Sequence, residues 1–171
     1  EVAELVDEEI LVFSDANSMY EPDAIQNLVQ RFAPGVGCVV GELRYRQSSD
    51  VEGESVYWRY ESLVKRLESR VNSLVTGNGS IYAVRADSYV PLPRDANSDF
   101  VEPLEIVRNG ELVTYAPDAT AWEDTESSTA SELSRRVRIV TRSWNATTNY
   151  PDLLNPVQHP LFAYQLLSHK I

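Results

Sequence analysis

The sequence predicts an α/β domain with a mostly parallel sheet, and three observations lead there. Ile10 to Phe13 is a short unbroken apolar run, followed by an apolar period at helical spacing from Ile25 and then by the run "VGCVVGEL". Strand, helix, strand at this spacing is a βαβ unit. A long amphipathic stretch, "GESVYWRYESLVKRLESRVNSL", then leads into "SIYAVR", which alternates as a half-buried strand does. Finally, "VEPLEIVRNG" reads as a short helix ending at Gly110, ahead of a further strand, "ELVTYAP".

The elements follow in order. Pro22 suits the first turn of the first helix, and Pro34 with Gly35 stops it. In the long helix Val56, Tyr60, Leu63, Leu67, Val71 and Leu74 form the apolar stripe expected to face the core. "DATAWEDTESS" reads as a loop. Thr129 to Glu132 matches a capping box for the Arg-rich helix that follows. Pro151, Pro156 and Pro160 break the tail into short pieces. Both ends read as cut: the chain opens as if inside a helix and closes on an apolar pattern.

A chain of 171 residues with 43% hydrophobic residues can bury a real core. The formal net charge of −11 argues against a general nucleic-acid binder, which needs a surplus of Lys and Arg. It does not exclude a nucleotide bridged to carboxylates by a metal ion. The single Cys38 rules out an internal disulfide and suits a small core residue. No apolar run is long enough to span a bilayer. His159 and His169 are too few and too far apart to argue for zinc.

Several short motifs carry chemistry. Asp15 follows the end of the first strand, where open α/β sheets bind ligands, and Asn17 offers an amide oxygen two residues on. Together they could hold Mg²⁺ or Mn²⁺ against a diphosphate; equally, Ser14, Asp15 and Asn17 could satisfy a turn. Asp99, just ahead of a helix, reads either as its N-cap or as a general base. Gly77-Asn78-Gly79 allows a positive-φ turn and the close approach of a ligand. Arg135, Arg136, Arg138 and Arg142 gather on one helix, either to meet a leaving diphosphate or to pair with Glu126 and Glu132.

In order, "ILVFSDANSMYEPDAI", "GCVVGEL", "YWRYE", "GNGSIYAVR", "SDFVEPLEIV" and the Arg-rich helix resemble the family 2 glycosyltransferases. These are inverting enzymes of the GT-A fold, a Rossmann-like nucleotide-diphospho-sugar transferase fold. The closest look is to the cellulose, hyaluronan, chitin and poly-N-acetylglucosamine synthase-like branch. The resemblance covers nearly the whole chain from about Ile10. It implies a partial catalytic domain over residues 1–150, without the N-terminal nucleotide-binding strands, and an amphipathic, membrane-proximal segment over 151–171. It implies a hexosyl- or N-acetylhexosaminyl-transferase that uses a nucleotide-sugar donor and a glycan or lipid-linked acceptor. The full-length protein would sit at the cytoplasmic face of a membrane.

Residue by residue, Asp15-Ala16-Asn17 matches the Asp-x-Asp element that holds the donor diphosphate through Mg²⁺ or Mn²⁺, with Asn17 in place of the second Asp. Gly77, Asn78 and Gly79 match the turn lining the donor sugar and acceptor. Asp99 matches the general base, with Ser98 where an acidic neighbour usually stands. Arg138 matches the Arg of Gln-x-x-Arg-Trp, while Arg135 and Ile139 replace its Gln and Trp. These replacements weigh against processive polymerisation and leave single-sugar transfer open. A metal-dependent phosphohydrolase and a non-catalytic carbohydrate-binding or assembly module are the competing readings. A sheet lacking strands would also expose an edge through which copies could associate.

Overall fold

The computed structural model describes residues 7–46, 52–93, 96–124 and 129–170. Among the described residues five strands and five α-helices follow in the order β1 (Ile10–Phe13), β2 (Met19–Tyr20), α1 (Ala24–Val29), β3 (Val36–Arg46), α2 (Glu52–Val71), β4 (Tyr82–Arg85), α3 (Ser98–Arg108), β5 (Leu112–Asp124), α4 (Thr129–Asn149) and α5 (Pro160–Lys170). A 3₁₀ turn, Pro151–Leu154, precedes α5.

The strands form one sheet in the order β1-β4-β3-β5-β2. Only β3 and β5 pair in parallel; β1–β4, β3–β4 and β2–β5 are antiparallel. The sheet is mixed, as the fold class implied, but the expected predominance of parallel pairing is corrected: three of these four pairings are antiparallel. The reason lies in β4. It slots between β1 and β3, the two strands that α1 connects, so these run the same way without touching. β5 also extends to Asp124, through "DATAWED", which the sequence reading left as loop. β4 is buried from Tyr82 to Val84 and does not alternate with solvent, because both faces of the sheet are covered there: Tyr82 and Val84 pack with α3 residues and Ala83 with α1 residues.

The period-2 alternation of β3 and β4 divides the core. Cys38, Val40, Tyr82 and Val84 face the larger cluster, with Phe100, Leu104 and Ile106 of α3. Leu153, Phe162 and Leu166, from the segment expected to be membrane-proximal, lie fully buried in that same cluster. Val39, Ile81 and Ala83 face Ala24 and Leu28 of α1 on the other side. Ile25 and Val29 of α1 stay outside.

Helix α2 departs most from expectation. Its predicted core stripe points outward: Tyr60, Leu63, Leu67 and Val71 are each half or more exposed. Of the stripe's described side chains only Leu74, beyond the helix end, is buried as expected; the Val56 side chain lies outside the described residues. The inner face is polar. β2 pairs only with Ala121 and Trp122, so among the described residues the first half of β5 has no strand on that side. Buried amides need acceptors, and α2 together with Ser73, just past its end, supplies them. Ser73 Oγ accepts the Val113 N–H at 2.8 Å, and Ser69 Oγ accepts that of Tyr115 at 2.9 Å. Ser62 donates to Glu42 at 2.6 Å, and the Tyr115 hydroxyl donates to the same carboxylate. α5 is tied to α2 in a similar way: His169 Nδ1 lies 2.6 Å from Glu68 Oε1, and Gln165 donates to the Glu68 carbonyl at 3.3 Å.

Candidate functional site

Because β4 runs antiparallel to β1, the residues entering β4 lie against those leaving β1. Phe13 pairs with Tyr82, and their rings stack with centroids 4.8 Å apart. Asp15, two residues beyond Phe13, therefore meets Gly79 and Ser80. A Cβ on Gly79 would stand 3.3 Å from Asp15 Oδ2, and Ser80 Oγ is 3.4 Å from the same oxygen. The Asp15 segment is itself a turn, with the Ser18 N–H donating to the Asp15 carbonyl at 3.1 Å and Ser14 Oγ at 3.0 Å. That turn points the exposed carboxylate outward.

Behind it stands a residue the sequence reading missed. Glu123, on β5, is 6% exposed. It accepts hydrogen bonds from Ser18 at 2.7 Å and Ser80 at 2.5 Å. Ser80 thus sits between two carboxylates, Asp15 and Glu123. The signal available was the alternation in "ATAWED", a strand pattern carrying one acidic residue at an inward register.

Gly77-Asn78-Gly79 serves as a spacer with tight clearance at its two ends. Neither glycine has positive φ; the positive-φ glycines among the described residues are Gly35 and Gly110. The need is close approach instead. A Cβ on Gly77 would fall 3.2 Å from the Asp99 carbonyl oxygen. The buried Asn78 side chain is spent on the backbone, donating to the Gly41 carbonyl at 2.8 Å and accepting the Ile81 N–H at 2.9 Å.

Asp99 does not cap α3. The N-cap is Asn97, and Asp99 sits half-buried in the first helical turn. An interior proline fixes how this turn meets the glycines. Pro103 has no N–H, so it cannot donate to the carbonyl four residues back, which is that of Asp99. The Gly77 N–H takes that carbonyl instead, at 2.7 Å.

Asp15, Gly77, Asn78, Gly79, Asp99 and Arg138 line one cleft of about 650 Å³ at the sheet edge where β1 and β3 end. Asn17 does not line it and stays exposed. The expected pairing of Arg135 and Arg136 with Glu126 and Glu132, the capping box at Thr129, and the side chain of Ile139 lie outside the described residues. Arg138 and Trp144 of α4 close the far wall. Among the described residues no group of three or more His, Cys, Asp or Glu side chains is arranged to hold a metal ion. One or two carboxylates, completed by substrate phosphate and water, are the usual protein share of a Mg²⁺ site. Asp15, with Glu123 behind Ser80, fits that share.

No family model matches the sequence, and no curated protein matches it. Among solved structures, the chain is similar to the mannosyltransferase PcManGT from Pyrobaculum calidifontis, solved in complex with GDP-Man and Mn²⁺. The TM-score is 0.64 at 19% identity, over 98% of this chain and 52% of that one. The likeness shows that the two chains share a fold, and this chain spans about half the length of that structure.

Proposed function

We propose that this chain works in an inverting glycosyltransferase of family 2, of the polysaccharide-synthase-like branch, moving a hexosyl or N-acetylhexosaminyl unit from a nucleotide-diphospho-sugar to a hydroxyl acceptor. The observation that carries the reading is convergence. Asp15, the Gly77–Gly79 turn, Asp99 and Arg138 come from four separate parts of the chain and line one cleft. The similarity to a mannosyltransferase solved with a nucleotide-sugar and Mn²⁺ supports it.

Asp15 would hold the donor's divalent cation, Mg²⁺ or Mn²⁺, with Ser80 and Glu123 orienting the Asp15 carboxylate. Asn17, outside the cleft lining, would reach that cation only by a change in the turn. When bound, the cation supplies positive charge to the diphosphate. Gly77 and Gly79 leave the donor sugar room against the backbone. Asp99 takes the proton of the acceptor hydroxyl, and that oxygen bonds to the anomeric carbon from the face opposite the diphosphate. The bond from carbon to the diphosphate oxygen breaks, and the nucleoside diphosphate leaves with the electron pair. Arg138, on α4, meets the developing charge. The exposed Leu161, Tyr164 and Leu167 of α5 support a membrane-facing role for 151–171. No helix among the described residues is long and apolar enough to cross a membrane.

Equilibrium binding of UDP-, GDP- and dTDP-sugars with and without Mn²⁺ tests the donor site. Metal-dependent binding that is lost in Asp15→Ala supports it; binding of simple phosphate esters with turnover, or of sugars regardless of nucleotide and metal, favours the hydrolase or the binding module. In an active protein Asp99→Asn is expected to cut transfer by about 10²–10⁴-fold while donor binding stays intact.

A further inference from the structure

A second groove opens beside the cleft and shares Leu43, Tyr45 and Trp58 with it. The strand end of β3 and one face of α2 form its walls, and it encloses about 660 Å³, enough for two sugar rings. Its charge runs against that of the chain. The whole sequence carries −11, yet three arginines, Arg44, Arg59 and Arg66, line this groove against one carboxylate, Glu42. That count is of the described residues, and the Glu42 carboxylate is already taken up by Ser62 and the Tyr115 hydroxyl. Arg59 and Arg66 are seven apart on α2, with Ser62 and Leu63 between them on the same face. Neither is ion-paired with a carboxylate among the described residues. Arg44 is set by Trp122, its guanidinium carbon 5.8 Å from the ring centroid, and the Trp122 indole N–H is fixed on Glu21 at 2.6 Å. Next to the arginines, Trp58 and Tyr45 stand as a tilted aromatic pair 4.9 Å apart. An aromatic face suits the C–H side of a sugar ring, and a guanidinium suits a carboxylate or phosphate on that ring.

We infer that this groove binds the acceptor, and that the acceptor is an acidic saccharide: its ring lies on Trp58 and Tyr45, and its anionic group is held by Arg59, Arg66 and Arg44. The inference rests on the glycosyltransferase reading for the word acceptor. The groove's preference for an acidic sugar stands on its own residues.

A matched pair of probes tests it: β-1,4-linked tetraglucuronate and cellotetraose, which differ only in carrying a carboxylate or a hydroxymethyl group on each ring. Titration into the chain at low salt is expected to show the acid binding about tenfold tighter, since each exposed guanidinium–carboxylate pair contributes only a few-fold. That preference should vanish in Arg59→Ala/Arg66→Ala and shrink at about 0.5 M salt, where charges are screened within a few ångströms. Trp58→Ala should weaken both probes. Equal affinity for the two, or no binding of either, overturns the proposal. So does arginine-dependent binding to phosphatidylglycerol vesicles without saccharide binding, which would make the groove a lipid-phosphate site. Nucleotide-sugar binding, measured separately with Asp15→Ala, separates this proposal from the donor site. Acidic-sugar preference without nucleotide binding would sink the transferase reading and spare the groove; the reverse would spare the transferase and sink the groove.

Discussion

Helices α2 and α3 both pack against the sheet, and they do it with opposite chemistry. α3 buries Phe100, Val101, Leu104, Ile106 and Val107 and carries Asp99 on its one wet turn. α2 turns Ser62, Lys65 and Ser69 toward the sheet, with Ser73 just past its end doing the same, and leaves Tyr60, Leu63, Leu67 and Val71 outside. The difference follows from what each helix covers. α3 lies over the face of a sheet, where side chains offer only apolar surface. α2 lies along the edge of β5, where the surface is a row of backbone amides. A face asks for hydrocarbon; an edge asks for hydrogen-bonding partners.

Mutations at matched places should widen this contrast. Leu104→Ala, at a fully buried position of α3, is expected to lower stability by about 2–5 kcal/mol, read as a drop in the urea midpoint at unchanged slope. Next comes the one acid on α3 that the core encloses. Glu102 is 1% exposed; its Oε1 has no hydrogen-bond partner, and burial, with Glu105 adding to it, pushes its carboxyl up to about 7. The folded state then holds a proton that the unfolded chain has released. Stability should therefore fall as pH rises from about 4.5 through 7, by roughly 3 kcal/mol in all. Glu102→Gln should flatten that slope, and a slope unchanged in the variant would show that another group causes it.

On α2 the effects are smaller and of the other kind. Ser73→Ala strands the Val113 N–H and should cost about 1–3 kcal/mol, with the Val113 amide losing its protection against hydrogen exchange. Leu63→Ser, on the stripe that looks like core in the sequence, should move stability by less than about 0.5 kcal/mol in an unfolding titration. A loss as large as that of Leu104→Ala would mean the stripe is covered in solution.

The same contrast explains what could be read in advance. β1, β3, β4, the first half of β5, α3 and the order of the motifs were legible because apolar period and glycine punctuation are local signals; β2 and the second half of β5 were not. Asp15, Asp99, Gly77 and Gly79 were found by spacing and meet in one cleft. The long helix was legible as a helix, but its inner face was not. Period states that one face differs from the other; it does not state whether a sheet's face or its edge awaits. The parallel sheet was misjudged for a related reason, since nothing local tells β4 to enter between β1 and β3. Glu123 was invisible because its meaning comes only from Ser80, 43 residues away. Gly77 and Gly79 were read for freedom of φ and for close approach; their φ is not positive, and what they give room to is the Asp99 carbonyl and the Asp15 carboxylate.

Pro103 has a consequence for how the cleft can move. By withholding one amide hydrogen, it hands the Asp99 carbonyl to Gly77, and so stitches the first turn of α3 to the strand-entry loop beside Asp15. Two pieces that would otherwise fray separately become a single opening unit. The two walls of the cleft would then loosen in the same fluctuation and at the same rate, and the Gly77 amide would be its clock.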